Sequence, residues 1–135
     1  MFKLAKILNS ASNVVEPCRM PRGKGASYRL GSLALLKSGA LENAAATETP
    51  TFVIGESLTD EAASTVLCYP ISPDMIFEAV CNGDPTSLVP GARVTLDIVD
   101  GSAVGVTAST SGGVCEIFNL GGAKNVGDAV FVRIV

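Results

Sequence analysis

Along residues 92–98 the chain alternates strictly. Ala92, Val94, Leu96 and Ile98 are apolar, and Arg93, Thr95 and Asp97 between them are polar. A period of two sends successive side chains to opposite faces of a strand, so one face of this segment is expected to be buried. Asp100-Gly101 follows at once and is a strong hairpin-turn pair. Val104, Val106 and Ala108 alternate in the next run, and Ser111-Gly112-Gly113 marks another turn. Residues 114–120 predict a third strand, Gly121-Gly122 a break, and residues 128–135 a last strand. There Val130, Val132 and Ile134 share one face, while Ala129, Phe131 and Val135 are apolar as well. That strand is expected to be covered on both faces, by the core or by another subunit.

Upstream the same style continues less cleanly. Residues 30–37, 51–55, 64–69 and 75–81 are candidate strands, ended by Ser38-Gly39, Gly55, Pro70 with Pro73, and Asn82-Gly83-Asp84-Pro85. Only two segments suggest helix. Residues 57–63 carry capping-type residues, and residues 41–46 are rich in alanine but short. Short strands punctuated by Gly-rich turns at roughly 8–12-residue spacing predict an all-β fold, a small β-barrel or β-sandwich with at most one short helix.

The chain has 135 residues, 47% of them hydrophobic and 17% charged, which suits one domain. Aromatic residues make up 5% and Trp is absent, so the core must be built from Val, Leu, Ile and Ala. There is no histidine. This excludes Ser-His-Asp and Cys-His catalysis and His-ligated zinc, and removes the commonest general base near neutral pH. The four cysteines, Cys18, Cys68, Cys81 and Cys115, form no Cys-x-x-Cys pair, and the last three sit in apolar runs. They are expected to be free thiols of a reducing cytoplasm. The opening Met1-Phe2-Lys3-Leu4-Ala5-Lys6-Ile7-Leu8 is not expected to be a secretory signal, because Lys6 interrupts the apolar run. No uncharged stretch is apolar enough to span a bilayer.

Charge divides the chain. Residues 1–30 hold Lys3, Lys6, Arg19, Arg22, Lys24 and Arg29 against the single acid Glu16, whereas residues 31–135 hold four cations and twelve acids. Pro17 and Pro21 break any helix in the first segment, and Arg22-Gly23-Lys24-Gly25 is flexible and cationic. Residues 1–30 therefore read as a basic, partly extended N-terminal arm on an acidic β-rich body, residues 31–135. Exposed ion pairs contribute about 0.2–1 kcal/mol each, whereas ordering backbone costs about 1–2 kcal/mol per residue. Charges alone cannot hold such an arm. If it orders, it must make main-chain hydrogen bonds, for instance by adding a strand to a partner's sheet, with Val14, Val15, Met20 and Tyr28 filling pockets.

Candidate chemistry is thin. A phosphate loop needs a glycine five residues before Gly23 and a Ser or Thr after Lys24, but Cys18 and Gly25 stand there. Gly121-Gly122-Ala123-Lys124 is a turn between strands. Asp84, Asp97 and Asp100 lack the spacing of a calcium loop and read as solvated surface. No catalytic, cofactor-binding or metal-binding residues are assigned, and no cofactor and no enzymatic activity are expected. Nucleic acid is not an expected partner, because the acidic body would repel phosphate. Neither is a membrane.

A small, His-free, acidic β-body rich in Ala, Gly, Ser and Thr follows an irregular arm, the Gly-x-x-Val pattern opens at Gly91 and again at Gly127, and the strand Gly127-Asp128-Ala129-Val130-Phe131-Val132-Arg133-Ile134-Val135 closes the chain. In these features it resembles the capsid decoration (cement) proteins of tailed bacteriophages. The resemblance implies a β-tulip-like subunit of a homotrimer that sits on the outer face of the phage head and clamps neighbouring major capsid proteins. It implies a virion location, with assembly in the cytoplasm of the host bacterium. On that reading Arg19, Arg22, Lys24, Tyr28 and Arg29 contact the capsid, and Phe131, Arg133 and Val135 contact other subunits. A chain lacking residues 1–27 would keep a folded body. Another phage structural subunit, of tail tube or head completion, is the alternative, and a small trimeric β enzyme acting on nucleotides a more distant one.

Overall fold

The computed structural model describes residues 1–12 and 14–135. Twelve strands follow one another: β1 (Lys3–Ile7), β2 (Cys18–Pro21), β3 (Leu33–Lys37), β4 (Ala40–Asn43), β5 (Phe52–Ile54), β6 (Thr65–Pro70), β7 (Met75–Val80), β8 (Arg93–Val94), β9 (Leu96–Val99), β10 (Ser102–Val106), β11 (Cys115–Asn119) and β12 (Ala129–Ile134). A 3-10 turn at Pro85–Ser87 is the single helical element among the described residues. The fold is all-β. The strands form two antiparallel sheets, a first in the order β1-β7-β12-β11-β8 and a second in the order β2-β6-β5-β3-β10-β9, with β4 folded back on β3.

Alternation explains the packing. In β12, Val130, Val132 and Ile134 point inward, and in β7, Met75, Phe77 and Ala79 do the same. They meet Leu33, Ala103 and Val106 of the second sheet in one shared core. The opposite face of the second sheet is also covered. Ala34, Phe52, Ile54, Val66 and Cys68 pack there under Tyr28 and Leu41, with Ala26 and Leu58 at the margin. The outer face of β12 is less covered than its sequence suggests: Phe131 and Arg133 are half-exposed.

Of the two architectures expected, the barrel does not form: the sheets stay open, with β1 and β8 the edges of one and β2 and β9 the edges of the other. Two further expectations need correction. The alternation at 92–98 is two strands rather than one. β8 pairs with β11 in the first sheet, whereas β9 pairs with β10 in the second, and Thr95 turns the corner between them. Its hydroxyl meets that of Thr107 at 2.7 Å. After this corner the pattern loses its meaning, and Ile98 is 38% exposed. Neither helix candidate forms. Leu41 lies in β4, and Leu58 bridges Tyr28 through paired main-chain hydrogen bonds of 2.9 and 3.0 Å.

The sheets approach closely where Cys81 bridges Val106 and Asn82 N–H donates to the Val106 carbonyl at 2.7 Å. Gly105 sits beside this junction, at the irregularity in the β9–β10 pairing. A Cβ placed on it would lie 2.5 Å from the carbonyl oxygen of Val80. Backbone cannot swing aside as a side chain can, so Gly105→Ala is expected to destabilise the fold by about 1–3 kcal/mol. Urea unfolding measures this, and an unchanged midpoint would contradict the packing described.

Candidate interaction site

Residues 1–30 are threaded along both sheets. β1 adds an edge strand to β7, with Lys3 opposite Glu78 and Leu4 opposite Phe77. Phe2, 3% exposed, packs edge-on against Phe77 with ring centres 6.4 Å apart, and its N–H donates to the Gly31 carbonyl at 2.8 Å. The Met1 ammonium donates to the Val104 carbonyl at 2.6 Å. The chain then crosses to the other sheet, where β2 pairs with β6, placing Arg19 opposite Leu67 and Met20 opposite Val66. The segment pairs with its own body.

Tyr28 closes this arrangement. It is 2% exposed. Its hydroxyl donates to the Leu41 carbonyl at 2.7 Å and accepts from the Gly23 N–H at 2.9 Å. A side chain at Gly23 would run into that same Leu41 carbonyl, 2.8 Å from the position of a Cβ. Tyr28 is therefore a core residue, and its expected role in contacting another molecule is corrected: the ring fills a pocket in its own subunit.

The expected cationic contacts divide. Arg22 is half-buried and grips main chain, its guanidinium donating to the carbonyls of Ala26 at 2.7 and 2.9 Å, of Ala63 at 3.3 Å, and of Asp60. It holds the 22–28 turn down. Arg19 and Arg29 are half-exposed and pair with acids of the body, Arg19 with Glu56 at 3.4 Å and Arg29 with Asp100 at 2.7 Å. Lys24 stands exposed at a turn and forms no ion pair among the described residues. Part of the charge asymmetry is thus neutralised within the molecule, by pairs exposed enough to contribute only about 0.2–1 kcal/mol each.

At the other proposed surface, Phe131 lies half-buried on the outer face of the first sheet, against the Gly121 turn. Arg133 donates to Glu116 at 2.9 Å across the β11–β12 pair, while its Nε is buried without a partner among the described residues. Val135 is half-buried and its N–H donates to Val114.

What charge counting could not locate is an apolar groove of about 430 Å³ between β1 and the β5–β6 pair. Met1, Leu4, Val14, Val15, Leu30 and Tyr69 line it, and Lys3 stands among them. Val14 is 81% exposed, and Met1 and Leu30 are about half exposed. Val15 reaches inward to the shared core. The sequence signal was present in Val14-Val15, two β-branched apolar residues in an otherwise polar stretch, but only the crossing between sheets brings them beside Met1 and Leu30.

Two of the acids serve turns. Asp84 Oδ1 accepts from the Thr86 N–H at 3.0 Å and its hydroxyl at 2.6 Å, and Asp128 Oδ2 accepts from the N–H groups of Lys124 and Asn125, both at 3.0 Å. These hydrogen bonds hold both carboxyls below the ordinary Asp value. No group of three or more Cys, Asp or Glu among the described residues is arranged to hold a metal ion. No protein-family model matches the chain, and no curated protein is significantly similar to it.

Two outcomes follow. Tyr28→Phe leaves the Gly23 N–H and the Leu41 carbonyl buried without their shared partner, and is expected to lower unfolding stability by about 1–3 kcal/mol in urea titrations. A variant as stable as the parent would show that the hydroxyl is not bonded as described. The Asp84 and Asp128 carboxylates have folded values depressed below the unfolded value of 3.8. Their contribution is therefore complete above that pH and is lost as pH falls through the folded values. The urea midpoint should fall in that acid range, and fall less steeply in Asp128→Ala.

Proposed function

We propose that the chain is a structural virion protein that binds the outer surface of a phage head and stabilises it by clamping neighbouring major capsid subunits. The resemblance to cement proteins suggests this role, and one feature of the surface supports it most: the apolar groove at Met1, Val14 and Leu30 opens on the face built by the basic N-terminal segment. Exposed apolar surface in a groove is a common mark of a protein contact. Lys3 in the groove's lining and the other cations of the segment would add steering and register rather than most of the affinity.

On this reading the capsid meets Val14, Leu30 and Lys24 directly, and Arg19 and Arg29 exchange their internal partners for acids of the shell. Arg22 acts by holding the 22–28 turn in place. As a homotrimer, with Phe131, Arg133 and Val135 towards neighbouring subunits, the protein would present three such faces together. The second and third contacts would then form at effective concentrations on the order of mM, so weak single contacts give tight attachment. Edge strands β1, β2, β8 and β9 would be shielded in the assembled particle. The protein would assemble onto heads in the bacterial cytoplasm and would need no cofactor, nucleic acid or membrane.

Removing residues 1–27 is not a clean test, because it strips β1, β2 and Phe2 from the fold. Val14→Asp, at an 81% exposed position, leaves the core intact. Co-sedimentation with assembled heads of the encoding phage should show at least a tenfold loss of affinity for Val14→Asp, and slower association, most marked at low salt, for Lys24→Glu combined with Arg19→Glu. Unchanged binding of both variants would sink the proposal. Rings of six or twelve subunits in solution would favour a tail-tube or head-completion role instead.

A further inference from the structure

Cys18 and Cys68 stand directly opposite each other on β2 and β6. Their Sγ atoms are 3.6 Å apart, and both thiols are free. The same register puts Arg22 opposite Ser64, where the Arg22 N–H donates to the Ser64 carbonyl at 3.0 Å. Bonded and non-bonded pairs alternate along an antiparallel ladder, so the position four residues back, Cys18 with Cys68, is a bonded pair with Cα atoms about 5.5 Å apart. Disulfides accept Cα separations of about 4.4–6.8 Å. The Cα separation lies within that range, and closing the bond takes side-chain rotation together with a small approach of the two strands, because Cβ atoms of a bonded pair stand about 5.5 Å apart and a disulfide holds them at about 3.5–4.5 Å.

We propose that Cys18 and Cys68 form a redox modification site, a cross-strand dithiol that a low-molecular-weight disulfide such as oxidised glutathione converts to an intramolecular disulfide, fastening β2 to β6. The two cysteines differ in access. Cys18 is partly buried on an edge strand, whereas Cys68 is fully buried on the neighbouring strand. Cys18 is therefore the entry point. Its thiolate attacks one sulfur of oxidised glutathione, the glutathione S–S bond breaks, and one glutathione thiolate leaves. The Cys68 thiolate then attacks Cys18 Sγ, the protein disulfide forms, and the second glutathione departs. Two electrons pass from the protein to glutathione, and the two thiol protons end on the two released glutathione molecules. Burial, with the neighbouring Cys18, pushes the Cys68 thiol up to about 12, so the closing step should quicken as pH rises.

Neither remaining cysteine has such a partner. Cys81 and Cys115 are buried in the shared core, and burial pushes the Cys115 thiol up to about 12. The bond would tie an edge strand of the N-terminal segment covalently to the body, and this holds whatever the segment binds.

The folded full-length protein, incubated with oxidised glutathione, tests the site. Thiol titration in denaturant should fall from four free thiols to two, the product should retain no glutathione, and peptide mapping should link Cys18 to Cys68. Melting temperature should rise by about 10 °C and return on reduction. Cys68→Ser should trap a stable glutathione adduct on Cys18, and Cys18→Ser should take up none. A lasting adduct on the parent protein, a link through Cys81 or Cys115, or four surviving thiols would each overturn the assignment.

Discussion

Ordering an irregular segment of thirty residues costs about 1–2 kcal/mol per residue in backbone entropy, and this protein offsets that cost with main-chain pairing rather than charge. β1 completes one edge of the first sheet, β2 one edge of the second, and two aromatic residues lock the ends: Phe2 against Phe77, and Tyr28 beneath the 22–28 turn. Everything distinctive about the surface depends on this arrangement. The groove is bounded by β1, by Leu30 and by Val14 and Val15, of which Val14 stays outside while Val15 turns in.

The two sheets differ in how they use their faces. The first has one buried face, shared with the second sheet, and an outer face carrying Phe131 and the Arg133–Glu116 pair. The second is buried on both faces at its centre, by the shared core on one side and by residues 22–28 and Leu58 on the other. A basic segment over an acidic body is therefore a lid over apolar surface as much as an electrostatic feature. Its arginines show the difference. Arg22 is taken up by carbonyls of the fold, Arg19 and Arg29 are shared with nearby acids, and Lys24, like Arg22, has no acidic partner among the described residues.

Much of the architecture was legible in the chain. The alternation of Val130, Val132 and Ile134 and the Gly-rich turns around it predict what forms, because a strand buried on one face leaves a period of two in any context. Periodicity failed where a strand changed sheets. Val94, Leu96 and Ile98 continue one pattern, yet Thr95 turns a corner and only the first two are buried. It also failed at residues 41–46 and 57–63, where local helix signals lost to pairing with β3 and with Tyr28. Tyr28 was misplaced for a related reason: it lies in a polar, glycine-rich stretch, and only the fold reveals that its hydroxyl serves Gly23 and Leu41. The groove was hidden because its lining joins residues far apart in sequence, Val14 with Leu30 and Tyr69.

The central claim is that this N-terminal face, held rigid by its own body, is the adhesive surface of the molecule. Electron cryo-microscopy of the particle carrying this chain tests it most directly. The account predicts each subunit seated with Met1, Val14, Lys24 and Leu30 against a capsid subunit and with β1 and β2 still paired to β7 and β6. A subunit attached through another face, with the groove open to solvent, would contradict it.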